Sequence, residues 1–121
     1  MDNLHNSTDS LIFQMCYDDF KNENSEGIKG RILHLFQIAQ QRQLQIVLSG
    51  PIPHCTMTGV AFSRMVAINE WLMTQYFPDG CFFANNFDTF WNKPHLFEKN
   101  GFTLNNDGAI SLLKNISLVD R

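Results

Sequence analysis

No stretch of the 121-residue chain holds the ~20 consecutive apolar residues that a bilayer-spanning helix needs. The opening residues, Met1-Asp2-Asn3-Leu4-His5-Asn6, lack the cationic start and apolar core of a secretory signal. A cytoplasmic protein with no membrane association is therefore expected, and Asn6-Ser7-Thr8 and Asn115-Ile116-Ser117 read as chance matches to the glycosylation pattern. Charge is scarce as well: 17% of residues are charged, the net charge is −3, and Lys and Arg never cluster. Affinity for nucleic acid rests on neutralising phosphates, so a nucleic-acid partner is not expected. Cys16, Cys55 and Cys81 are odd in number and far apart, which fits reduced thiols better than a disulfide framework. A metal site would have to draw on His54, Cys55, Cys81 and His95, which show neither C-x-x-C nor H-x-x-x-H spacing. No metal and no cofactor is expected.

What the chain does have is apolar bulk. Hydrophobic residues make up 44% of it, with eleven Phe and two Trp, enough for one domain with an aromatic-rich core. Residues 1–25 form a polar N-terminal segment that need not be ordered, and residues 26–121 carry the clear patterning. Within the first part, Leu11-Ile12-Phe13 is too short for periodicity to separate a strand from the start of a helix. Lys21 to Glu26 reads as a loop, with Asn24 or Ser25 as an N-cap for the helix beyond it.

From Ile28 to Gln43 apolar residues recur at helical spacing: Ile28, Ile32, Leu35 and Ala39, with Phe36 beside them. Leu44 to Leu48 is a short apolar run stopped by Ser49-Gly50-Pro51, the pattern of a strand covered on both faces in a parallel sheet. Phe62 to Phe77 is helical again, with Phe62, Met65, Val66, Leu72, Met73 and Tyr76 on one broad face. Asn69 falls on that stripe and reads as a buried amide bonded to backbone. Cys81 to Ala84 is a second short strand. The segment from about Asp107 to Leu118 is a last helix, capped by Asn105 or Asn106, with Ala109, Leu112, Leu113 and Ile116 on one face. Strands alternating with helices at crossover spacing predict βαβ units and a parallel sheet.

Several motifs in order carry a resemblance. Ile46-Val47-Leu48-Ser49-Gly50-Pro51-Ile52-Pro53 is followed by Phe62-Ser63-Arg64 and Ile68-Asn69-x-Trp71-Leu72. Then come Phe90-Trp91-x-x-Pro94-x-Leu96-Phe97, Asn100-Gly101-x-Thr103 and Leu104-Asn105-x-x-Gly108-Ala109. This sequence of motifs resembles SGNH hydrolase-like domains (GDSL-type esterases and lipases) over residues 28–118. The resemblance implies part of a three-layer α/β/α, flavodoxin-like domain with a short, mainly parallel sheet.

It also implies where catalysis would sit: a Ser in G-D-S, oxyanion donors from a Gly and the Asn of G-x-N-D, and an Asp and His in a C-terminal D-x-x-H. The chemistry requires a base to take the proton of a hydroxyl, a carboxylate to orient the base, and donors for the charge that develops. Thr8-Asp9-Ser10 is the nearest string to G-D-S, and Met1-Asp2-Asn3-Leu4 the nearest trace of G-x-N-D. The D-x-x-H positions hold Asn100 and Thr103, and neither an amide nor a hydroxyl acts as a base near neutral pH. The nucleophile strand is expected upstream of Met1. Ser49 reads as a loop residue and Trp91, with Phe87 and Phe90, as core. His95 paired with Ser49 or Ser63 is the remaining route to a divergent esterase.

The expectation is a truncated, catalytically inactive domain, a pseudoenzyme. A sheet of three strands or fewer would leave an uncovered edge, through which it would self-associate or bind a protein partner.

Overall fold

The structure, a computed structural model, describes residues 10–55, 57 and 59–119. Its centre is a parallel sheet of three strands, β1 (Ser10–Gln14), β2 (Gln45–Ser49) and β3 (Cys81–Ala84), in the order β1-β2-β3. Leu11 pairs with Ile46 and Phe13 with Leu48, while Ile46 pairs with Cys81 and Leu48 with Phe83. Among the described residues no helix is long and apolar enough to cross a membrane.

The ambiguous Leu11-Ile12-Phe13 run is thus a strand. The polar stretch after it is not the loop expected at 21–26. Helix α1 (Tyr17–Asn22) runs into that stretch, and α2 (Ser25–Arg42) starts within it. A six-residue helix is too short to be stable on propensity. Here the Cys16 amide donates to the Asp19 carboxylate at 3.2 Å, and Phe20 is fully buried below. Asn24 caps α2, its side-chain oxygen accepting from the Gly27 amide at 2.9 Å.

α2 connects β1 to β2, and α3 (Gly59–Thr74) connects β2 to β3. Side chains alternate across a strand. Ile46, Leu48 and Cys81 therefore share one face, where they pack with Ile28, Ile32 and Phe36 of α2 and Met65, Ile68 and Leu72 of α3. Val47, Ser49 and Ala84 turn the other way. On that side a second, smaller core gathers Phe90, Leu96 and Phe97. It is built from a short helix α4 (Phe87–Phe90), a 3-10 turn at Pro94–Leu96, and the final helix α5 (Asn106–Val119), whose Leu112 packs on it.

Some predicted faces are corrected. Met73 and Tyr76 are exposed, Tyr76 lying past the end of α3, and Leu113 and Ala109 face solvent on α5. Asn69 is buried as expected, but its amide nitrogen meets the Asn85 side chain at 3.4 Å rather than backbone, and its oxygen has no partner. Trp91 is not core. It is 47% exposed and stacks on Phe87 and Phe62, with centroids at 5.8 and 4.9 Å, while its neighbour Phe90 is buried.

Two glycines of the motifs are explained by close approach. A Cβ on Gly50 would lie 2.8 Å from the Ala84 carbonyl oxygen and 2.7 Å from the Phe83 ring. One on Gly108 would lie 2.2 Å from the Leu96 carbonyl oxygen. The first lets the chain leave β2 against β3, and the second seats α5 on the 3-10 turn.

Candidate functional site

In an open parallel sheet, ligands bind beyond the carboxyl ends of the strands, because the loops that carry chemistry gather there. Four loops meet at that end. The Pro-rich loop after β2 is tied to the Asn100 loop by the Cys55 amide, which donates to the Gly101 carbonyl at 2.7 Å. The His54 ring sits edge-on to Tyr17, after β1, at 4.7 Å between centroids, and meets Phe102 at 6.0 Å. Tyr17, His54 and Phe102 thus link three loops in one row.

Asn100 and Thr103 lie in this assembly, both exposed. The Asn100 side-chain oxygen accepts from the amides of Phe102 and Thr103, each at 3.0 Å, and its nitrogen donates to the Thr103 hydroxyl at 2.9 Å. This is an Asx-type turn. The two positions of the D-x-x-H pattern are therefore bonded to each other, through an amide and a hydroxyl. Asn105, in the next motif, accepts from the Gly108 amide to cap α5 and donates to the carbonyls of His95 and Phe97.

Beneath the loops lies a polar network that sequence reading missed. Ser49 is fully buried; its hydroxyl donates to Gln14 at 2.6 Å and accepts from Asn86 at 2.8 Å. Asn86, also fully buried, further donates to the Gly50 carbonyl at 2.9 Å and accepts from Asn115 at 3.0 Å. Asn115 in turn donates to Thr89 at 2.9 Å. The carboxyl ends of all three strands and α5 are joined in this way. Ser49 is a structural hydroxyl, and among the described residues its two side-chain partners are amides, not an imidazole. Asn115, whose amide is taken up here, is no open acceptor for a glycan.

A second signal was also missed. Cys16-Tyr17-Asp18-Asp19 follows β1 and keeps the spacing of G-x-N-D, with Cys for Gly, Asp18 for Asn, and the final Asp retained as Asp19. Asp19 is occupied in capping α1 and in a 3.0 Å ion pair with Arg31. The Met1-Asp2-Asn3-Leu4 and Thr8-Asp9-Ser10 strings lie outside the described residues, apart from Ser10, the first residue of β1.

The loop end holds a hollow of about 180 Å³ lined by Pro53, His54, Cys55, Trp91, Asn92 and Pro94. That is smaller than the ~300–1,000 Å³ usual for small-molecule sites. Burial holds the His54 imidazole below its ordinary range. The folded state then favours neutral His54, so its share of stability is present above pH ~6.5 and is lost as pH falls through the lowered folded value. The midpoint of denaturant unfolding should decline below pH ~6.5, with a shallower decline in His54→Gln. Equal slopes for the two proteins would count against this assignment.

No protein-family model matches the chain, and no curated protein matches it. Among solved structures it is similar to the esterase domain of the ZfL2-1 ORF1 protein from the zebrafish ZfL2-1 retrotransposon. Identity is 35% and the TM-score 0.70, with the match covering 83% of this chain. The chain spans 65% of the length of that domain. An α/β fold with a three-strand parallel sheet, motifs in the expected order and this likeness make the chain SGNH hydrolase-like.

Proposed function

We propose that the chain is an SGNH hydrolase-like domain that has lost ester hydrolysis and persists as a binding or scaffold protein. The observation that carries this reading is the Asn100–Thr103 pair. Its amide and hydroxyl satisfy each other at 2.9 Å, and neither can take a proton from a nucleophile or hold charge on a neighbouring base. Two further observations support it. Asp18, in the place of the G-x-N-D amide, presents a carboxylate, which accepts hydrogen bonds and repels a developing oxyanion where a donor is needed. Ser49 is enclosed by amides rather than poised beside a base.

The test is hydrolysis of a short-chain p-nitrophenyl ester. No turnover above the blank is expected from the native chain, nor from a double variant carrying Asn100→Asp and Thr103→His, because Asp18 still presents a carboxylate where the oxyanion needs a donor. Turnover by the native chain that vanishes with Ser49→Ala, Ser63→Ala or His95→Gln would overturn the proposal in favour of rearranged catalytic groups.

A further inference from the structure

We infer that Asn100-Gly101 is a modification site: Asn100 loses its side-chain nitrogen as ammonia through a cyclic imide and becomes a carboxylate at the first position of the D-x-x-H pattern. The inference concerns the chemistry of the turn and stands whether or not the loops hydrolyse esters.

Deamidation of this kind needs the backbone nitrogen of the next residue to attack the Asn side-chain carbonyl carbon and close a five-membered ring. A side chain on that next residue obstructs the approach. Asn100 is the only asparagine of the chain that glycine follows. It is also exposed, so hydroxide and water reach it, whereas Asn69 and Asn86 are buried.

The turn supplies the electrostatics. Asn100 Oδ1 accepts from the amides of Phe102 and Thr103, each at 3.0 Å. These donors draw charge from Cγ and are already in place for the negative charge that gathers on Oδ1 as the ring closes. The leaving nitrogen, Nδ2, lies 2.9 Å from the Thr103 hydroxyl. It donates to that oxygen in the ground state. Once attack has turned it into an amine with a free lone pair, the same hydroxyl is placed to hand it a proton.

One bond stands in the way. The Gly101 amide donates to the Glu98 carbonyl at 2.9 Å and must let go before its nitrogen can turn to Cγ. The base of the loop is held separately, by the Glu98 amide on the Thr103 carbonyl at 2.7 Å and by the bridge between Phe97 and Leu104. Opening can therefore be confined to the tip. The folded chain reacts, but more slowly than the same sequence unfolded.

Hydroxide takes the Gly101 amide proton, the nitrogen bonds to Cγ, and the Cγ–Nδ2 bond breaks to release ammonia. Water then opens the imide. Cleavage of the new N–Cγ bond gives Asp, and cleavage at the original peptide carbon gives isoaspartate. Asp keeps the turn, because its carboxylate accepts from the same two amides and from the Thr103 hydroxyl. Isoaspartate lengthens the backbone by one carbon and strains the 2.7 Å bond from the Cys55 amide to the Gly101 carbonyl, which ties this loop to the Pro-rich loop. Either product adds one negative charge to a chain at −3, beside the exposed Glu98.

The test is incubation of the purified chain at rising pH, read by intact mass and peptide mapping, with Asn100→Asp as the standard for the Asp product. A gain of one mass unit should appear first at Asn100, at a rate rising about tenfold per pH unit above neutrality. Unfolding in urea should speed it by about tenfold or more, since the turn no longer has to open. Gly101→Ala should slow it by about tenfold or more, in urea as well, where the strain of a positive φ plays no part. Thr103→Val should slow the folded chain several-fold, while Thr103→Ser keeps the native rate. No mass gain at Asn100 in the folded chain, a gain that appears first at another asparagine, or a rate untouched by Gly101→Ala would overturn the inference.

Discussion

Gly108→Ala is expected to destabilise the chain by about 3 kcal/mol, at the upper end of what one added methyl costs in a packed site. The new Cβ would stand 2.2 Å from the Leu96 carbonyl oxygen and 3.1 Å from the Leu104 side chain. The obstacle is backbone, and that backbone is itself fixed. The Leu96 carbonyl accepts from the Asn105 amide at 3.1 Å, and Asn105 caps the helix that carries Gly108. Relief would require α5 to lift from the 3-10 turn, opening the small core of Phe90, Leu96 and Phe97. For a domain of this size the loss corresponds to roughly 12 °C in melting temperature. Gly30→Ala is the control. It lies mid-helix in α2 with nothing within 4 Å of its added methyl, and it should stabilise by about 0.5–1 kcal/mol. Thermal melts of the two variants should move in opposite directions; a shift of less than about 1 kcal/mol for Gly108→Ala would mean that the turn yields easily.

These glycines show what one sequence makes readable. Gly108 belongs to a recurring string and Gly50 to another, so the positions could be marked from the letters, while the oxygen that each must avoid could not. The same divide runs through the fold. Ile28, Ile32 and Ala39 announced α2, and the run ending at Ser49-Gly50-Pro51 announced β2, because burial against a single layer imposes a period. Leu113 and Tyr76 went wrong because an apolar letter says nothing of whether a partner surface reaches it. Helix α1 was unreadable for a different reason: its six residues depend on the buried Phe20 and on Asp19, which joins the cap and the Arg31 ion pair.

The loop end was legible in part. Asn100 and Thr103 were found through the resemblance to SGNH hydrolase-like domains, and the structure adds that they bond to one another. Cys16-x-Asp18-Asp19 was overlooked because two of its three informative letters have changed, leaving only the final Asp and its place after a strand. The network through Gln14, Ser49, Asn86 and Asn115 joins residues 29 to 37 apart in sequence, and no local pattern couples them.

That network carries the second large effect. Asn86→Ala should cost about 3 kcal/mol, through what it strands rather than through its own transfer. Asn86 is fully buried, and its amide donates to Ser49 and to the Gly50 carbonyl while accepting from Asn115. Two of these partners are backed up: Gly50 still accepts from the Gln14 side chain at 2.9 Å, and the Ser49 hydroxyl still donates to Gln14. Asn115 keeps Thr89 and can turn its second N–H toward water, since it is only half-buried. The residual cost is the Ser49 lone pair, the cavity left by the amide, and the lost tie between β2, β3 and α5. Ser49→Ala alone removes the hydroxyl that links Gln14 to Asn86 and should cost about 1–2 kcal/mol. Because the two side chains share one bond, the double variant should fall short of the sum by about 1 kcal/mol, a coupling readable from urea unfolding of the four proteins in a cycle. Strict additivity would say that Ser49 and Asn86 act independently, and that the strand ends are held by apolar packing alone.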